Sequence, residues 1–119
     1  MADVTAAVAA AGAANRLVAL RAFAPHCRSC KTLGPKVGRL AAGLSPPPGT
    51  GVDWYDVDCT AHGGLCKELG VKLLPSFVLL AEGRGTCQLF STGPFGVNTV
   101  KLRVMEELTR LAPVAEAGL

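Results

Sequence analysis

Phe23-Ala24-Pro25-His26-Cys27-Arg28-Ser29-Cys30-Lys31 is the stretch on which the fold turns. An apolar, strand-like run ends here and a helix-like run begins, with two cysteines three residues apart at the junction. Residues i and i+3 on a helical first turn lie about 5–6 Å apart, close to the Cα separation that a disulfide requires. A dithiol placed there closes and opens without rearranging the backbone. Upstream, Leu17-Val18-Ala19-Leu20-Arg21-Ala22-Phe23 is apolar except for Arg21, the pattern of a strand covered on both faces. Downstream, Leu33, Val37, Leu40 and Ala41 recur at helical spacing. They predict a helix from about Cys27 to Ala42, kinked by the proline inside it, Pro35.

The rest of the chain supplies a sheet for that junction. The Ala-rich residues 3–14, with Asp3 or Thr5 as N-cap, predict a short helix. Ser45-Pro46-Pro47-Pro48-Gly49-Thr50-Gly51 is a loop, and Val52–Val57 a short strand. Thr60–Gly70 holds a short helix stopped by Gly70, and Ser76–Ala81 is a buried strand. Gly83-Arg84-Gly85 turns the chain into an antiparallel partner, Thr86–Ser91. In Asn98–Leu111, the residues Val100, Val104, Met105, Leu108 and Leu111 form one stripe. That marks an amphipathic helix, with Asn98 as N-cap and Pro113 as stop. The order β-α-β-α-β-β-α gives an α/β fold, a mixed sheet sandwiched by helices.

A chain of 119 residues is long enough for one core, and with half its residues hydrophobic and only 18% charged it reads as a folded domain. The net charge of +3 is carried by scattered basic residues, so there is no nucleic-acid footprint. Leu17–Leu20 and Phe77–Ala81, the longest apolar stretches, are far too short to span a bilayer. Five cysteines leave one over from any closed disulfide framework, which fits a reducing compartment better. The N-terminus lacks the charged and apolar regions of a secretory signal; it reads as a helix of the domain or the remnant of a transit peptide.

Thiol exchange needs an exposed thiolate and a second thiol within reach of it. Cys27 stands where unpaired helix N–H groups and the helix dipole favour an anion, with His26, Arg28 and Lys31 beside it. It is the nucleophile on this reading, and Cys30, one turn in, resolves the mixed disulfide. A zinc half-site is the competing reading. It requires a second ligand pair, and Cys59, Cys66, Cys87 and His62 form no such unit. Those three cysteines read first as small apolar packing residues. Cys59, just past a strand end, is the one expected to be exposed, open to glutathionylation or dimer formation. His62 reads as a solvated loop residue.

The stretch LVALRAFAPHCRSCKTLGPKVGRLA resembles the active-site segment of a thioredoxin, with the cysteine pair, the following lysine and the kinking proline in place. VDWYDVD is similar to the family's next strand, and LCKELGVKLLPSFVLLAEGRG to the segment that carries its cis-proline and hairpin. The likeness runs over about residues 15–112 of a single domain, 1–119. It implies the thioredoxin fold, a central mixed sheet of about four to five strands flanked by about four helices. It also implies thiol–disulfide exchange with protein substrates through a redox-active Cys27–Cys30 disulfide, with no cofactor. Pro75 would be cis, and the backbone of Leu74 would pair with bound substrate like an added strand, flanked by His26 and Arg28. Within the family the chain is most similar to the atypical Cys/His-rich chloroplast thioredoxins. The points of likeness are a motif other than WCGPC, Cys66 in Leu65–Gly70, the Leu74-Pro75 pair, and Cys87. That implies a monomer in the chloroplast stroma or on the thylakoid, the cytoplasm being the alternative. It further implies 2-Cys peroxiredoxin as a target and thioredoxin reductase or another thiol donor.

Three positions depart from the family. Arg21 stands where thioredoxins carry a buried acid that accepts the proton of the second thiol, and a guanidinium cannot do so. A water or another carboxylate would have to replace it. Trp54 stands where the acid's lysine partner is usual, which suggests an Arg21–Trp54 cation–π pair in place of an acid–lysine pair, against Arg21 snorkelling to the sheet edge. Arg28-Ser29 replaces Gly-Pro between the cysteines. With positive charge beside Cys27 the reduced state is favoured, so the expected potential is less reducing than thioredoxin's, about −270 mV. Two other functions compete: a module that docks partners at Pro75 with little or no turnover, and an iron–sulfur cluster shared between two chains through Cys27.

Overall fold

The apolar run around Leu17–Leu20 becomes the centre of a sheet. In the computed structural model, which describes residues 9–10, 15–81 and 85–111, β1 (Arg16–Phe23) lies between β2 (Gly51–Asp58) and β3 (Ser76–Ala81), and β4 (Gly85–Ser91) completes the order β2-β1-β3-β4. β1 runs parallel to β2 and antiparallel to β3, and β3 is antiparallel to β4. The strands alternate with α1 (Arg28–Gly43), α2 (Gly63–Glu68) and α3 (Val97–Leu111). Among the described residues this is a four-stranded mixed sheet with three helices. The helix expected over 3–14 and the stop at Pro113 fall largely or wholly outside the described residues, as do Gly83 and Arg84 of the expected turn.

Because side chains of a strand alternate between faces, β1 and β3 feed two cores. Leu17, Ala19, Phe77 and Leu79 pack with Leu33 and Val37 of α1 and with Val100, Val104 and Leu108 of α3. Val18, Leu20, Val78 and Leu80 face the other way, onto Cys66 and Leu69 of the α2 region. This is why both central strands read as nearly continuous apolar runs, β1 interrupted by Arg21, rather than as alternating ones. Phe77 anchors the first core: it is fully buried and stacked on Phe90, with ring centroids 5.4 Å apart.

Among the described residues, one charged side chain lies inside. Glu107, fully buried on α3, accepts hydrogen bonds from Gln88 on β4 at 2.7 Å and from Arg110 at 3.3 Å. α3 also begins one residue earlier than the capping pattern indicated. The Gly96 carbonyl accepts the Val100 N–H, so Asn98 lies inside the first turn and is not the N-cap. At the far end, Asn15, with φ of 56°, donates through Nδ2 to the carbonyls of Leu111 and Gly49, tying the start of β1 to the end of α3.

Candidate functional site

Strand register brings the site together. Phe23, the last residue of β1, is paired with Asp58, the last of β2, and Ala22 is paired with Ser76, the first of β3. The segment leading to Cys27, the turn after β2 and the residue Pro75 therefore converge on one end of the sheet. The N–H of Cys59 donates to the Phe23 carbonyl at 2.8 Å.

Cys27 is the N-cap of α1, half-buried, and its Sγ accepts the N–H of Cys30 at 3.2 Å. The helix that sequence spacing places from Cys27 thus uses the first thiol itself as its cap, a role usually taken by a side-chain oxygen. Cys30, one turn in, is 2% exposed. Both thiols are free, and the pair stands as a dithiol. His26 and Arg28 are exposed on either side, Ser29 is half-buried, and Pro35 lies inside the helix as expected.

Burial pushes the Cys30 thiol from its ordinary 9.0 up to about 11. Its hydrogen bond with Cys27 and the charge of a Cys27 thiolate push the same way, while the Ala24 backbone and the Arg21 guanidinium pull it down. Cys30 therefore waits as a thiol at neutral pH. Iodoacetamide at pH 8 is expected to label Cys27 and spare Cys30, with Cys30 labelling rising steeply as the pH nears about 11. Equal labelling at pH 8, read by peptide mass spectrometry, would overturn this. The folded state holds this proton more tightly than the unfolded chain, so the stabilisation is complete below pH 9.0 and lost as the pH rises through about 11.

Arg21 is placed differently from the expectation. Its guanidinium makes a two-pronged bond to Asp56, at 2.9 and 3.1 Å, and lies 4.8 Å from the centre of the Phe23 ring. It does not stack on Trp54. The reason is register: Arg21 is the cross-strand partner of Asp56, whereas Trp54 is the partner of Ala19. A carboxylate one neighbour away outcompetes an indole for a guanidinium. Nor does Arg21 run out to the sheet edge, its side chain being 14% exposed. It lies against Gly34 of α1, where an added Cβ would stand 3.3 Å from its Nη1, and it lines a cleft of about 290 Å³ with Cys30, Phe23 and Pro25. Position 21, where the resemblance implied an acid, holds a guanidinium that is paired with Asp56 and shares a cleft with the buried thiol.

The Leu74–Pro75 peptide bond is cis, Pro75 is buried and Leu74 is half-buried. Two hydroxyls that the sequence did not single out secure this turn: Ser91 donates to the Pro75 carbonyl at 2.6 Å, and Ser76 donates to the Leu73 carbonyl. Cys59 and Cys66 also depart from expectation. They form a disulfide with Cα atoms 5.8 Å apart, so neither is a free packing residue and Cys59 is not a free exposed thiol. Cys87 lies half-buried against the first core, its Sγ donating to the Gly85 carbonyl at 3.7 Å. His62, exposed, precedes α2 without capping it through its side chain.

This arrangement has close counterparts. The thioredoxin family model matches residues 4–94. A chloroplast protein of Arabidopsis thaliana, thioredoxin-like 1-1, is 33% identical over 66% of the chain, which spans 27% of that relative. The protein disulfide-isomerase of Aspergillus oryzae is 28% identical over 87% of the chain, which spans only 19% of the isomerase. Among solved structures, Fasciola hepatica thioredoxin superimposes with a TM-score of 0.69 at 29% identity, covering 92% of this chain and 91% of that one. With its model matched over most of the length and its sheet order and dithiol in place, the chain belongs to the thioredoxin family.

Proposed function

We propose that the chain is a thiol–disulfide oxidoreductase acting on protein disulfides. Cys27 attacks a substrate disulfide, one substrate sulfur leaves as a thiolate, and Cys30 then displaces the second, leaving a Cys27–Cys30 disulfide and a reduced substrate. The observation that carries this reading is the division of labour at the head of α1. One thiol is half-exposed with a backbone donor on its sulfur, and its partner one turn in is buried and held protonated. Leu74, ahead of the cis bond, offers its backbone to an extended substrate, and His26 and Arg28 border the approach. No cofactor takes part in this cycle. Family membership supports exchange chemistry in general, with a reductase or other thiol donor renewing the dithiol.

The finer reading is a plastid protein, in the stroma or on the thylakoid, that meets 2-Cys peroxiredoxin among its targets. Chloroplast relatives at about a third identity support that compartment. Arg28-Ser29 between the cysteines and Arg21 behind Cys30 place positive charge around the pair. Positive charge beside the dithiol favours the reduced form. A midpoint above about −270 mV is expected in a redox titration against a glutathione or dithiothreitol buffer. A value below about −300 mV would reverse the assignment.

Insulin reduction with dithiothreitol tests the activity. Precipitation of the insulin B chain well ahead of the dithiothreitol control supports exchange. An unchanged lag, with a partner protein still bound at the Pro75 turn, would make the chain a docking module instead. That second reading draws on the absence of an acid at position 21.

A further inference from the structure

Cys30 must lose a proton before it can attack, and its surroundings offer cations rather than a base. The thiol, 2% exposed, lines the cleft of about 290 Å³ with Arg21, Phe23, Pro25, Lys31 and Gly34, and no carboxylate or imidazole lines that cleft. Among the described residues, the titratable and charged groups around Cys30 are Cys27 and Lys31 of its own helix and Arg21 of β1. Asp56 of β2 stands behind Arg21, in a second cleft of about 200 Å³ that shares Arg21 and Gly34 with the first. Arg21 is held firmly there. Asp56 takes both prongs of its guanidinium, the centre of the Phe23 ring lies 4.8 Å away, and Gly34 leaves open the space that a Cβ would narrow to 3.3 Å.

Burial, with the hydrogen bond to Cys27, holds the Cys30 thiol up at about 11; a Cys27 thiolate adds to this and Arg21 opposes it. In the mixed disulfide the Cys27 sulfur carries no charge. The cations are then what offsets burial when the proton leaves. We propose that Arg21, clamped by Asp56, is a positioning residue of the resolving step: its guanidinium stabilises the Cys30 thiolate while water in the cleft, rather than a side chain, accepts the proton. This rests on the reading of Cys27 and Cys30 as the exchange pair. In the step, Cys30 Sγ passes its proton to water and attacks Cys27 Sγ. The bond between Cys27 and the substrate sulfur breaks and the Cys27–Cys30 bond forms. The substrate sulfur leaves with the electron pair as a thiolate and regains a proton from water. Arg21 itself neither gains nor loses a proton, so resolution should quicken with pH until Cys30 is ionised, with no lower inflection from a carboxylate.

Two measurements test this. In chains carrying Cys27→Ser, the rate at which iodoacetamide labels Cys30 is followed against pH by peptide mass spectrometry. Adding Arg21→Gln is expected to raise the half-point by about one unit, the low end for a nearby opposite charge because Asp56 offsets part of it. Arg21→Lys, which keeps the charge, should move it far less. In chains with both thiols, Arg21→Gln should slow resolution ~3–4-fold at pH 7, a smaller thiolate fraction being partly offset by a more nucleophilic sulfur. More protein is then caught as the Cys27–substrate mixed disulfide during insulin reduction. A half-point that Arg21→Gln leaves in place or lowers, or that Arg21→Lys moves as far as Arg21→Gln does, overturns this proposal alone, provided the unsubstituted chain reduces insulin. An unsubstituted chain that reduces no insulin overturns the exchange reading and this proposal with it. Should Arg21→Gln fold poorly, Asp56→Asn alters a side chain 58% exposed, keeps an acceptor for the guanidinium and removes the opposing charge. The Cys30 half-point should then fall, and one that stays or rises overturns the role of Arg21.

Discussion

A Cys27→Ser chain is expected to lose insulin reduction down to the rate of dithiothreitol alone, a fall of ~10³-fold or more if Cys27 is the only nucleophile in the cycle. The loss should come without unfolding. The sulfur is half-exposed and packs into neither core, and a serine oxygen can still accept the Cys30 N–H that caps α1. Unchanged circular dichroism beside lost activity separates chemistry from stability. Cys30→Ser should behave differently: attack still occurs, but resolution fails, and mixed disulfides with substrate accumulate on a non-reducing gel. Full activity in Cys27→Ser would remove Cys27 from the mechanism.

The largest effect on stability is expected at the opposite end of the argument, in the sheet. Phe77→Ala should cost ~3–5 kcal/mol, the usual range for emptying a buried aromatic site. Phe77 is packed on every side: it is buried completely, stacked on Phe90, and clustered with Leu33 of α1 and Val104 of α3. Urea denaturation monitored by the fluorescence of Trp54 measures the change, and a loss under about 1 kcal/mol would mean that the two helices collapse into the cavity.

Most of the fold was legible because its signals are local. Apolar runs, the first broken once by Arg21, marked the two central strands, a change from that run to helical spacing placed the start of α1 within a residue, and Gly70 ended α2 as expected. Gly70 has φ of 85°, and its N–H and that of Val71 close back on the carbonyls of Lys67 and Cys66. Pro35 and Pro75 were readable for the same reason, each being a residue with few backbone alternatives. What stayed hidden depended on register between distant segments. That Arg21 meets Asp56 rather than Trp54 is a matter of which residues of β1 and β2 stand side by side, and a shift of two positions changes the partner. The Cys59–Cys66 bond was hidden because an odd cysteine count says how many thiols remain, not which Cα atoms approach to 5.8 Å. Asn98 misled because the cap preference of its side chain yielded to a glycine two residues earlier.

Glu107 has a consequence for how the molecule keeps its alignment. An apolar stripe such as Val100, Val104 and Leu108 would fit the sheet almost as well after sliding by one helical turn. A buried carboxylate would not: displaced by a turn, it would keep Arg110, which moves with it on the same helix, but lose the 2.7 Å hydrogen bond from Gln88 across to β4, at a cost of ~1.5–3 kcal/mol for a bond to a charged group. Glu107 therefore acts as an indexing pin between α3 and β4. Since β4 also carries Ser91, whose hydroxyl holds the Pro75 carbonyl, the pin keeps a helix remote from the thiols in step with the turn beside which they work.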